Sequence, residues 1–164
     1  MPLVTASGAL IKDPADHRTL FQASFNPGVL NQMLSAIGSA RYDAILYADT
    51  FHAGFDYYCA RLDVDVPVLA EFLTINAGFE RLWPELMTAP PEGIFAGFAM
   101  GSRDEMLKLA DDLKRRLPDD LYVHVLRSPR YVGHMCEIAP HGVSKWSGIT
   151  HLAADWGITP EEIC

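Results

Sequence analysis

Between Ile94 and Ile138 the hydrophobic period of the chain switches twice, and that switch limits the fold more than any other feature. Ile94 to Met100 is a continuous apolar run that reads as a buried strand. Ser102 then caps a helix through Arg116, in which Met106, Leu109, Leu113 and Leu117 form one stripe. Acids lead that helix and bases trail, as the helix dipole favours, and Pro118 stops it. Leu121 to Leu126 and Tyr131 to Ile138 follow as strands joined by a tight Ser128-Pro129 connection, which predicts a hairpin. A one-striped helix must bury its stripe on a neighbouring layer. The expectation is therefore an α/β chain, an antiparallel sheet with helices on one face.

The flanking sequence extends this pattern. Asn26-Pro27 is a helix start, because Asn caps well and Pro in the first turn has no amide to leave unpaired. Val29, Leu30, Met33, Leu34 and Ile37 recur at helical spacing until Gly38. Ala44 to Ala48 predicts a strand, residues 49–65 an irregular stretch with Tyr57 and Tyr58 in a short strand, and Val66 to Ala77 a short helix closed by Gly78. At the start, Leu3 to Ala6 reads as a buried strand, Ser7-Gly8 interrupts it, and Ala9 to Ile11 continues extended. Lys12 to Asp16 is turn chemistry, with Arg18 to Phe25 returning as a hairpin partner. Gly142 to Trp156 reads as strand end, turn and helix. Thr159-Pro160-Glu161-Glu162 opens a helix that Cys164 leaves without a body, which predicts a chain cut from something longer.

Composition excludes several function classes. With 49% hydrophobic and 21% charged residues in 164, the chain is expected to fold. A net charge of −8 leaves no basic face for nucleic acid. No apolar run approaches the roughly 18–20 residues of a membrane helix, and no export signal opens the chain, so the expected location is cytoplasmic. Three cysteines, Cys59, Cys136 and Cys164, form no Cys-x-x-Cys pair and indicate neither a disulfide framework nor a cysteine zinc site.

Four motifs look chemical and read better as structure. Asp63-Val64-Asp65 has the spacing of an aspartyl-phosphate nucleophile, but Val66-Pro67 follows where a Gly-Thr turn is needed, so a solvated loop is expected. Gly142-Val143-Ser144-Lys145-Trp146 resembles a nucleophile elbow with Trp where Gly is required. Gly93, Gly97 and Gly101 repeat like a membrane dimer face in too short a segment, which points to close packing of a strand. His134 and Cys136 share one strand face, with His124 able to face them from the next strand, yet no further metal ligand accompanies them.

Lys145 breaks a rule. A cation in the first turn of a helix opposes the dipole, and the same place attracts anions. Tyr131 to Ile138 followed by Ala139-Pro140-His141-Gly142-Val143-Ser144-Lys145 resembles the approach to the lysine motif of haloacid-dehalogenase-like (HAD) phosphatases. The segment to Ile163 is similar to the helix after that lysine. Leu3 to Ile11, with Ser7-Gly8-Ala9, is similar to the Asn-Gly-Ala strand of the Cof-like subgroup, with Ser7 in place of Asn. The resemblance implies an α/β cap over residues 26–138, flanked by remnants of a Rossmann-like core at 1–25 and 139–164. It implies a Mg²⁺-dependent phosphatase of small phosphorylated metabolites, sugar phosphates among them, with Lys145 stabilising charge. The nucleophile and Mg²⁺ motifs are missing from this chain, which is therefore expected to be inactive alone and to bind no Mg²⁺. Tyr122, His124, Arg127 and His134 are the candidate substrate contacts in the cap. A homodimer through the open core remnants is a further implied partner. The alternative class is a non-enzymatic ligand-binding or protein-interaction domain.

Overall fold

A computed structural model describes residues 2–127 and 130–163. Six strands make the larger sheet: β4 (Ile45–Tyr47), β5 (Tyr57–Cys59), β6 (Glu80–Leu82), β7 (Ala96–Gly101), β8 (Leu121–Arg127) and β9 (His134–Pro140). Their order is β6-β5-β4-β7-β9-β8, with only β5 and β6 parallel. The α/β class is as the sequence predicts. The Ser128-Pro129 connection lies outside the described residues, while the β8–β9 pairing it joins is continuous from Leu121↔Pro140 to Arg127↔His134.

Both faces of this sheet are covered. Helices α1 (Pro27–Ser39) and α3 (Arg103–Arg116) bury Met33, Leu34, Ile37, Met106, Leu109 and Leu113 against Leu46, Ala99, Val123, Cys136 and Ile138. Helix α2 (Pro67–Ile75) packs Leu69, Phe72 and Leu73 on the opposite face, against Ile45, Tyr57, Phe98 and Met100. The helices thus lie on two faces rather than one. The cause is legible in β4 and β7, whose residues are apolar at both parities, so that each face needs cover. Caps set the helix starts: the Asn26 side chain accepts from the Gly28 amide, and Ser102 and Glu105 form a reciprocal capping box. The glycines of β7 permit close packing, since a Cβ on Gly97 would sit 2.7 Å from Leu46 Cδ2 and one on Gly101 2.9 Å from Met106 Cε. Strand β6 escapes a reading by pattern, because Glu80 and Arg81 are two of its three residues and only β5 pairs with it.

The second unit is small. Strands β1 (Leu3–Thr5), β2 (Leu10–Lys12) and β3 (Thr19–Gln22) form an antiparallel sheet, with the expected return of the chain after the Asp13–Asp16 turn. Helix α4 (Lys145–Asp155) packs against β1 and the turn after it. A short 3-10 turn, Pro160–Glu162, stands where the sequence predicts a helix start, with Thr159 and Glu162 capping it. Buried Lys12 crosses between the units and donates a hydrogen bond to Asp49, which also accepts from the Thr19 hydroxyl.

Candidate functional site

The turn between β1 and β2 is strained. Ala6, Ser7 and Gly8 have φ of 47°, 54° and 100°, three successive left-handed residues of which only one is glycine. Each non-glycine residue there costs on the order of 1 kcal/mol, and such strain concentrates at functional sites. Contacts with α4 hold the turn in place. A Cβ on Gly8 would lie 1.9 Å from the Ser144 carbonyl oxygen and 3.1 Å from the Lys145 amide nitrogen. Gly148, one turn into α4, is equally close-fitted, with a Cβ there 3.1 Å from Gly8 Cα. Two glycines thus let a helix end and a strained turn touch backbone to backbone.

That contact places Lys145 beside Ser7-Gly8, at the first position of α4 and exposed. Ser144 is the cap: its hydroxyl accepts from the Ser147 amide at 3.0 Å, and its own amide donates to Ser147 Oγ at 2.8 Å. A serine tied into a capping box is no strand-end nucleophile, so the elbow-like motif is structural.

Ala6 and Ser7 line a cavity of about 330 Å³ that opens toward the larger sheet. Its opposite wall is Tyr47 of β4, Phe95 just before β7, Ala96 and Phe98 of β7, and Met135 and Glu137 of β9. Burial pushes the Tyr47 phenol well above its ordinary range, and the neighbouring Tyr131, Tyr57, Asp56 and Glu137 add to the effect. It is a protonated hydrogen-bond donor at any physiological pH. A second cavity, of about 390 Å³, lies between α1 and the Pro90-Pro91 loop, with Glu92 as the only charged residue on its wall.

Strand register sorts the residues singled out in the sequence. Tyr122 and His124 lie on the same sheet face as Glu137, with His124 directly opposite it, and their rings stack at 6.4 Å. Arg127 and His134 are register partners on the other face, at the sheet end farthest from Ala96 and the Ser7 turn. His134 and Cys136 share a face as read, but His124 does not join them, because a step of one residue reverses the face. Burial pushes the Cys136 thiol up to about 12, which suits an inert core residue. Among the described residues no three His, Cys, Asp or Glu side chains gather to hold a metal ion. Asp63 and Asp65 are exposed in the loop before α2.

Sequence reasoning missed Tyr47 and Glu137. A signal for Glu137 did exist: it is the single acid in an otherwise apolar stretch of β9, at the parity opposite to buried Cys136 and Ile138. Tyr47 carried none, since a strand tyrosine is ordinarily core.

No curated protein matches the sequence. Solved structures do match its fold. A Bacteroides thetaiotaomicron haloacid dehalogenase-like hydrolase has a TM-score of 0.72 at 16% identity, covering 98% of this chain and 56% of its own. A Thermotoga maritima protein has a TM-score of 0.72 at 19% identity, over 99% and 56%. A sugar phosphatase of HAD subclass IIB has a TM-score of 0.63 at 11% identity, over 98% and 55%. The chain thus spans little more than half the length of these relatives. A family profile for the haloacid dehalogenase-like hydrolases matches residues 1–164 throughout. The mixed α/β architecture agrees with that match, and the chain belongs to the haloacid dehalogenase-like hydrolase family.

Proposed function

We propose that this chain is the substrate-selecting part of a phosphatase acting on small phosphorylated metabolites. In this reading residues 26–138 are the cap, and residues 1–25 and 139–164 belong to the catalytic core. The observation that carries it is the placement of the Lys145 backbone beside Gly8 of the strained turn, whose Ala6 and Ser7 line a cavity with the larger sheet as its far wall. An anion bound beside that turn would face the start of α4 and the Lys145 ammonium on its long stem. The rest of the molecule then projects into the cavity, between Ser7 and Tyr47. Tyr122 and His124 stand farther along the same face. Arg127 and His134, on the opposite face, have no part in this arrangement.

Lys145 would stabilise negative charge on a transferring phosphoryl group. It supplies neither an attacking group nor a leaving-group acid. The resemblance to HAD phosphatases implies an Asp nucleophile and Mg²⁺. The residues described here form no Mg²⁺ site, so no step is assigned to them through a metal. The reading requires an Asp-x-Asp-Gly-Thr segment N-terminal to Leu3 and a Gly-Asp-x-x-Asn-Asp segment C-terminal to Ile163, on the same polypeptide or a partner. The 164-residue chain, assayed with an aryl phosphate and Mg²⁺, should show no turnover above background. Supplied with those segments it should hydrolyse the ester, and Lys145→Ala should slow it by at least about a hundredfold. Metal-dependent turnover by the chain alone, abolished by Asp63→Asn, would overturn the reading.

The open surface of the small unit fits the same proposal. Leu3, Trp146, Ile149, Trp156 and Ile158 are all exposed around β1 and α4, where the remainder of a HAD core would pack. A homodimer through this surface is the other occupant to test, by sedimentation.

A further inference from the structure

The cavity wall opposite Ser7 holds one carboxylate, flanked mainly by apolar and aromatic side chains. Glu137 is half-buried in β9, with Met135 and Ala139 on either side of it along the same face. Phe98 lies directly across from it in β7 and His124 in β8. Among the described residues no ion pair and no hydrogen bond reaches its side chain. A partly buried carboxylate without a counter-charge is unfavourable unless a ligand supplies one.

We propose, resting on the phosphatase reading, that the cavity selects a phosphate ester whose leaving group carries a protonated amine, with Glu137 as the counter-charge. Three features favour a cation over a neutral hydroxyl. Ser7 and Tyr47 already offer hydroxyls for a neutral polar group, whereas only a cation offsets the Glu137 charge. Tyr47, Phe95 and Phe98 present aromatic rings around the same space, which attract an ammonium. The chain carries a net charge of −8, so a zwitterionic ester approaches it with less repulsion than a purely anionic one. A leaving group bearing a second phosphate or a carboxylate would meet Glu137 head on. At about 330 Å³ the cavity takes a compact body, at the small end of the roughly 300–1,000 Å³ usual for ligand sites.

The leaving-group end can be tested on the chain itself by amide-resolved NMR titration. Three probes of similar shape, 2-phenylethylamine, 2-phenylethanol and phenylacetate, are compared at pH 7, with inorganic phosphate titrated separately. The amine should shift the Ser7, Tyr47, Ala96 and Glu137 amides and bind at least about fivefold more tightly than the alcohol. The carboxylate should bind weakest. Glu137→Gln, nearly isosteric and checked for folding by the same spectrum, should erase the amine preference and keep alcohol binding. Equal binding of amine and carboxylate, or a preference that survives Glu137→Gln, would overturn the proposal. Phosphate shifts at Gly8 and Lys145 without amine selectivity would sink this inference and leave the phosphatase reading standing. Amine selectivity without any phosphate response would overturn the phosphatase reading and the ester part with it.

Discussion

The two sheets of this chain solve the problem of burial differently. The six-stranded sheet is closed on both faces, by α1 and α3 on one side and α2 on the other, and holds two large apolar clusters. The three-stranded sheet has only the small cluster of Ala9, Leu10, Phe95, Ala139 and Val143, and part of that comes from the larger sheet. Its helix α4 buries just Gly148 and Ala153, and Trp146 within it and Trp156 just after it are exposed. The larger unit is stabilised by its own core, while the smaller one leans on it through backbone contact, the Lys12–Asp49 ion pair and the Gln22 hydrogen bond to the Gly93 carbonyl.

Mutations should expose this contrast, beginning with the largest effect. Leu113→Ala empties a fully buried site between α3 and the sheet and should lower unfolding free energy by about 2–5 kcal/mol, read from denaturant melts. Gly8→Ala adds a Cβ 1.9 Å from a carbonyl oxygen at φ +100°. It should cost about 2–4 kcal/mol, combining backbone strain with overpacking. Hydrogen exchange sharpens the comparison here: α4 amides should lose protection in the Gly8 variant while β7 and β9 amides keep theirs. Equal loss in both units would mean that they fold as one.

A smaller effect is expected at the crossing pair. Burial raises the Asp49 carboxyl, but hydrogen bonds from Lys12 and Thr19 and the Lys12 charge outweigh it and hold it below the ordinary range. A depressed carboxyl stabilises the fold above its unfolded pKa, and the contribution disappears as pH falls through the folded value. Asp49→Asn should therefore be less stable than the parent chain at pH 7, and the two should converge below the ordinary carboxylate range. Melts recorded from pH 7 to pH 2 would show this; a constant gap would break the assignment. Smallest of all, Trp156→Ser should change stability by less than about 0.5 kcal/mol and reduce self-association in sedimentation.

Much of the larger unit was legible because its helices carry clear caps and stripes. Asn26-Pro27, the Ser102 start and the Met106 to Leu117 stripe each encode their role locally. The second helical face was not read, because α2 is short and apolar nearly all round, so its pattern names no partner. Strand β6 was invisible for the opposite reason, being an edge strand with charged residues and a single neighbour. At the site, Lys145 stood out because it opposes a helix dipole, which is a local conflict. Tyr47 and Glu137 meet Ser7 only through the fold, across roughly 40 and 130 residues of chain respectively, and no local pattern marks that meeting. The separation of His124 from His134 needed the strand register, which a hairpin whose turn length is uncertain by one residue leaves open.

The chain leaves the small unit near Ala23 and re-enters it at Ala139 to Val143, and these two crossings flank one apolar cluster. The Ala23 amide donates to the Ala9 carbonyl at 2.9 Å, so the outgoing crossing is stitched to the strand system it departs from. On the proposed reading of the chain, everything between is a single insert, entered and left through one doorway. Such an insert can be lengthened, shortened or replaced without rethreading its host, provided the two ends stay side by side. Grafting residues 26–138 between adjacent strand ends of an unrelated α/β scaffold should yield a folded passenger, and exchanging the insert should alter ligand choice while leaving the Ser7–Lys145 contact intact.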